Sequence, residues 1–82
     1  MIKVEFFGNY RLEFKVSEVN LEAKNIKEML EKIILMFPKM KKEQIKRASV
    51  FVNDVAIQGI FSMRHKLKEG DIVLMMYPSG GG

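Results

Sequence analysis

The sequence predicts an α+β fold: a mixed sheet of four to five strands with one main helix packed on one face. Three observations predict it. Apolar residues alternate with polar ones near the start, at Ile2, Val4 and Phe6 and again at Leu12, Phe14 and Val16. From Asn25 the spacing becomes that of a helical stripe, with Ile26, Met29, Leu30, Ile33, Ile34 and Phe37 on one side. Near its end the chain has a run, residues 72–77, that is apolar throughout and is stopped by Pro78, which cannot donate to a ladder. A helix joining an opening hairpin to later strands covers one face of their sheet, which makes two layers.

Element by element, Lys3 and Glu5 lie on the opposite side of the first strand from Ile2, Val4 and Phe6. Gly8, Asn9 and Tyr10 supply a turn, and residues 11–16 form the second strand of a hairpin. Asn25 is suited to cap the helix, with Glu28 three residues on, and Pro38 marks its end. A lysine-rich connection follows, with a short helix around residues 43–47, and then Val50, Phe51 and Val52 as a third strand. Asn53 and Asp54 turn the chain into a short strand over residues 55–57, Gly59 opens a loop carrying Phe61 and Leu67, and Gly70 and Asp71 make the last turn. In the final strand Ile72, Leu74 and Met76 point one way and Val73, Met75 and Tyr77 the other. One helix covers one trio, so the other is left on an open face as a candidate protein contact. Phe7, the aromatic on the polar side of the first strand, is expected on that open face.

With 82 residues, 48% of them hydrophobic and 29% charged, the chain has room for one core. Residues 1–78 are expected to form the domain and 79–82 a flexible glycine-rich tail. No apolar run approaches the roughly 20 residues of a bilayer span, and the opening residues lack the continuous apolar stretch of a signal peptide. Cysteine is absent, which excludes disulfides, a thiolate nucleophile and the usual zinc sites. A cytoplasmic location is therefore expected.

The balance of 14 Lys+Arg against 10 Asp+Glu is basic, +4. Its densest stretch is Lys39, Lys41, Lys42, Lys46 and Arg47, diluted by Glu43. That stretch reads either as a solvated face or as a contact for RNA or an acidic partner. Parts for catalysis are missing. His65 stands alone between Arg64 and Lys66, and Glu28 and Glu31 sit at pairing distance from Lys24, Lys27 and Lys32. No glycine-rich loop opens a helix to cradle a phosphate. The methionines, among them Met29, Met36, Met75 and Met76, read as core filler. No enzyme activity, metal or bound cofactor is expected.

What remains is Tyr77-Pro78-Ser79-Gly80-Gly81-Gly82. Glycines lie extended in slots too narrow for side chains and leave a terminal carbonyl open to attack. Four residues beyond Pro78 reach about 13 to 14 Å, enough to enter another protein's active site. An α-carboxylate, with a reference pKa of about 3.3 to 3.7, is ionised at neutral pH and resists nucleophiles until activated, for example as an acyl-adenylate. The bland alternative is a frayed tail or a linker of Ser-Gly-Gly-Gly type.

Three stretches carry a resemblance: residues 1–7, Met-Ile-Lys-Val-Glu-Phe-Phe; residues 50–54, Val-Phe-Val-Asn-Asp; and residues 70–82, from Gly70-Asp71 through Pro78 to Gly82. On these the chain resembles the ubiquitin-like β-grasp sulfur carriers of the MoaD/ThiS type, most closely the small subunit of molybdopterin synthase. Gly70, Asp71, Pro78, Gly81 and Gly82 match that pattern position by position.

The resemblance implies that an E1-like adenylating enzyme uses ATP to activate Gly82, which is converted to a thiocarboxylate. Gly80 and Gly81 give the tail its slender approach. Sulfur then passes to the precursor of the molybdenum or tungsten cofactor, held by the large subunit of molybdopterin synthase, or to another acceptor enzyme. Phe7, Met75, Tyr77 and Pro78 are the expected partner contacts. Related carriers serve thiamine synthesis and tRNA thiolation or form isopeptide bonds with lysines. The chain departs from the synthase subunit at Tyr77, where a proline is usual, at Gly80, where Ser or Thr is usual, and in its basic charge. A basic β-grasp RNA-binding module using Lys39, Lys41, Lys42, Lys46 and Arg47 is the alternative of another class.

Overall fold

A computed structural model describes residues 1–8, 15–41, 43, 45, 47–58 and 62–77, with Tyr77 as backbone. Its elements in chain order are β1 (Ile2–Gly8), β2 (Glu18–Leu21), α1 (Ile26–Met36), β3 (Ser49–Val52), β4 (Val55–Ile57), a 3₁₀ turn (Ser62–Arg64) and β5 (Ile72–Tyr77). The strands make one mixed sheet in the order β2-β1-β5-β3-β4. β1 and β5 run parallel at its centre, from Lys3 opposite Ile72 to Gly8 opposite Tyr77. The other pairings are antiparallel.

The alternation in β1 does what its period requires. Ile2, Val4 and Phe6 are buried against α1, and Lys3, Glu5 and Phe7 take the other face. The helical stripe is buried at Ile26, Met29, Leu30 and Ile33, with Ile34 and Phe37 partly buried at its margin. Asn25 is the N-cap, its Oδ1 accepting from the Glu28 N–H at 2.8 Å, while Glu28 Oε1 accepts from the Lys24 N–H at 3.3 Å. The helix ends at Phe37, whose ring meets Phe6 edge to face with centroids 5.9 Å apart.

The opening hairpin differs from expectation. Residues 11–14 of the expected second strand lie outside the described residues, and Val16 is not in a strand. The strand paired with β1 is β2, with Leu21 opposite Ile2 and Glu18 opposite Glu5. The physical reason is a change of parity. Leu12, Phe14 and Val16 are even-numbered, whereas the inward residues of β2, Val19 and Leu21, are odd, so one straight strand cannot hold both sets. Lys15, at φ 55, leaves the extended backbone just before Val16, and Val16 still packs against the core, so the change of parity falls between Val16 and Val19.

The later elements follow the sequence closely. One helical turn follows the lysine-rich connection, with the Ile45 N–H donating to the Lys41 carbonyl at 3.2 Å and the Arg47 N–H to the Glu43 carbonyl at 3.0 Å. Met40 and Ile45 anchor this segment in the core. Asn53 (φ 49) and Asp54 (φ 70) are both left-handed, the backbone a two-residue hairpin needs to match strand twist. Leu67 is buried, and its N–H donates to the Lys24 carbonyl at 2.9 Å, tying the long loop to the start of α1. Gly59 and Phe61 lie outside the described residues.

Candidate functional site: the end of β5 and the open sheet face

Because β5 is central, its C-terminal end emerges between two neighbours, Gly8 of β1 opposite Tyr77 and Ser49 of β3 opposite Met76. Pro78, Gly80, Gly81 and Gly82, and the Tyr77 side chain, lie outside the described residues. β5 is thus paired on both sides through Met76 and to Gly8 at Tyr77.

The sheet face away from α1 carries Ile72, Leu74 and Met76 of β5. Phe7 is opposite Met76 on one side, and Phe51 is opposite Leu74 on the other. Ile72 is 45% and Met76 41% exposed. Lys3 and Glu5 edge this strip, with Lys3 Nζ 3.9 Å from Glu18. The expectation that Met75 contacts a partner is corrected. Met75 is fully buried on the helix side, because the parallel register sets it opposite Phe6, an inward residue. Both trios of β5 are apolar, so sequence could not tell them apart, and the open one is Ile72, Leu74 and Met76. Phe51 was missed because Val50, Phe51 and Val52 are apolar on both faces.

At the opposite end of the sheet, the two turns singled out in the sequence clamp each other. Asp71 accepts from the Lys68 N–H at 2.8 Å and from Asn53 Nδ2 at 2.9 Å. Asn53 Oδ1 in turn accepts from the Ile72 N–H at 3.0 Å. The Lys68 backbone N–H, then the Asn53 amide, hold the Asp71 carboxyl below its ordinary value. Gly70, at φ +88, makes the turn that presents Asp71. These motif residues hold the start of β5, and they stand at the far end from the tail.

The remaining candidates are spread apart. Lys39, Lys41 and Arg47 are exposed, while Lys42 and Lys46 lie outside the described residues. Glu28 is 3.7 Å from Lys32 on the helix surface. His65 sits after the 3₁₀ turn, its carbonyl accepting from the Ile26 N–H. Among the described residues no three His, Asp or Glu side chains gather to hold a metal, and no helix is long and apolar enough to cross a membrane. A shallow groove of about 160 Å³, lined by Met1, Ile2, Glu22, Ala23, Lys68 and Glu69, lies at the end opposite the tail. There the N-terminal ammonium pairs with Glu69.

A mixed five-stranded sheet grasping one helix, with its last strand central and parallel to its first, defines a ubiquitin-like β-grasp protein. The model of the ThiS family matches residues 4–82, and the chain belongs to that family. Solved structures agree on the fold. A complex of subunits 1 and 2 of molybdopterin-converting factor from Helicobacter pylori matches at 23% identity and TM-score 0.62, over 99% of this chain and 97% of that one. The small archaeal modifier protein 1 of Methanosarcina acetivorans matches at 20% identity and TM-score 0.73, over 99% and 95%. Urm1 of Trypanosoma brucei matches at 20% identity and TM-score 0.75, over 99% and 94%. No curated protein sequence matches the chain significantly. The fold is that of the ubiquitin-like sulfur carriers and modifiers.

Proposed function

We propose that this chain is a cytoplasmic sulfur carrier whose reactive group is the α-carboxylate of Gly82, and that it serves molybdopterin biosynthesis. The observation that carries the reading is the union of a central, fully paired strand with the segment Pro78-Ser79-Gly80-Gly81-Gly82 directly after it. A stiff base aims the segment, and the lack of Cβ atoms lets it enter a narrow slot. A carboxylate oxygen attacks the α-phosphorus of ATP on an E1-like enzyme and pyrophosphate leaves. Hydrosulfide then attacks the acyl carbon and displaces AMP, and loss of its proton leaves the thiocarboxylate with no change of oxidation state. ATP is the activating enzyme's substrate, and the carrier contributes no catalytic side chain. Phe7, Leu74 and Met76, beside Phe51, form the docking face for the activating enzyme and for an acceptor such as the large synthase subunit. The fold likeness to a chain in the two-subunit converting-factor complex supports that choice of acceptor.

Incubating the chain ending at Gly82 with the E1-like enzyme of its own organism, ATP and sulfide tests the reading. Intact mass spectrometry is expected to find the mass gain of sulfur replacing one oxygen, confined to the terminal residue, and none after deletion of Gly81 and Gly82. A chain recovered unmodified under conditions where the enzyme forms adenylate on a known carrier refutes it. The fold likeness to an archaeal modifier favours a second reading, in which a lysine amine displaces AMP to form an isopeptide bond. Glycine-remnant peptides in digests of cell protein are its signature.

A further inference from the structure

The charges of this domain are not evenly spread along the sheet axis. α1 runs from Asn25, which bridges Lys66 near the start of β5, toward Phe37, which packs on Phe6 near the end of β5. The described residues between Phe37 and Ser49, which is itself opposite Met76, therefore lie at the end of the sheet where β5 finishes. That segment contributes exposed Lys39, Lys41 and Arg47, and it is fixed in place by buried Met40 and Ile45. The connection between β1 and β2 adds exposed Lys15 at the same end, close to Ser17, whose carbonyl accepts from the Phe6 N–H at 2.8 Å. Among the described residues of these two connections, four cations face one carboxylate, Glu43. The opposite end mixes cations with Glu22, Asp54, Glu69 and Asp71, of which Glu69 already holds the N-terminal ammonium and Asp71 the Lys68 N–H.

We infer that Lys39, Lys41 and Arg47 form a basic collar around the tail's point of departure, and that it docks on a carboxylate-rich protein surface rimming the slot that receives the tail. The inference rests on the carrier reading for the identity of that slot and goes beyond it in naming the chemistry of its rim. Charges set around an insertion point raise the rate of productive encounter and reject partners whose rims are basic. RNA fits the collar less well. Single-strand binding pairs cations with aromatic platforms on the same surface, whereas the Phe6 and Phe37 rings at this end pack on each other, Phe6 is fully buried, and Phe7 lies on the sheet face away from α1 and the connection that follows it.

The test compares three variants of the full chain: K39E/K41E/R47E, the neutral K39Q/K41Q/R47Q, and K24E/K66E/K68E, which makes the same charge change at the far end. Pyrophosphate release by the organism's E1-like enzyme is followed against carrier concentration at low and high salt. The collar reversal is expected to raise KM roughly 10- to 100-fold at low salt with kcat within about twofold, and the gap is expected to close at high salt. The neutral variant falls between, and it carries the comparison if urea unfolding shows the reversed protein to be unstable. The far-end variant stays near wild type. A KM within about twofold of wild type for both collar variants, or an equal effect from the far-end variant, overturns the inference.

Fluorescence anisotropy with labelled poly-L-glutamate and labelled oligouridylate keeps the test independent of activation. Binding of polyglutamate that only the collar variants lose supports the collar even if the enzyme never activates the wild type, an outcome that refutes the carrier reading alone. Tighter binding of oligouridylate than of polyglutamate overturns the collar's assignment to a protein partner.

Discussion

Asp71→Ala removes the acceptor of two hydrogen bonds, from the Lys68 N–H at 2.8 Å and from Asn53 Nδ2 at 2.9 Å, and leaves Asn53 without its partner while it holds the Ile72 N–H. Bonds to a charged acceptor contribute about 1.5 to 3 kcal/mol each when well buried. Asp71 is only half-buried, so water replaces part of what is lost, and the net destabilisation is about 1 to 3 kcal/mol in total. For a domain of this size each kcal/mol moves Tm by about 4 to 8 °C.

The pH dependence has a definite sign. The folded carboxyl titrates below its ordinary value of 3.8. Its contribution is therefore fully present above the unfolded value and is lost as pH falls through the folded one. Urea unfolding followed by far-UV circular dichroism, at neutral pH and at a pH below the unfolded value, measures both effects. The gap between wild type and variant is expected to be widest at neutral pH and to narrow in acid. A variant within about 0.3 kcal/mol of wild type at neutral pH, or a gap that does not narrow, refutes the clamp.

Four other substitutions report on three separate parts of the fold. Met75→Ala is expected to cost about 2 to 5 kcal/mol by urea unfolding, because Met75 is fully buried, whereas Met76→Ala costs under about 1 kcal/mol and shows its effect in partner affinity. Asp54→Gly relieves a left-handed residue at φ 70 and yields the favoured Asn-Gly turn, so Tm should rise by an amount corresponding to roughly 0.5 kcal/mol. Asn25→Ala removes the helix cap and is expected to cost about 1 kcal/mol, read as a lowered urea midpoint at unchanged slope.

Much of this architecture is legible because its elements have clean periods. The stripe of α1, the alternation of β1 and the Asn53-Asp54 turn each have one physical reading, and the structure has them at or within a residue of their expected places. Two kinds of information are not local. Where the chain pairs after β1 depends on a change of parity between Val16 and Val19, both packed against the core, which residues 12–16 do not announce. Which face of β5 is covered depends on its parallel register with β1, 69 positions away at Lys3 opposite Ile72, so that Met75 is core and Met76 surface. The Asn53 and Asp71 motifs were visible as turns, but their mutual hydrogen bond closes over 18 positions and belongs to no single segment.

The central pairing of β1 with β5 also governs when this molecule exists at all. The innermost contacts of the sheet join its first strand to its last, so no partial chain made during synthesis can close the core. Folding waits for β5 and must meet the entropy of a long loop in one step. A chain cut short within β5 loses both the sheet's middle and the base of the tail. The whole domain thus depends on the six residues of β5: a chain that stops before them has neither a closed sheet nor a completed core.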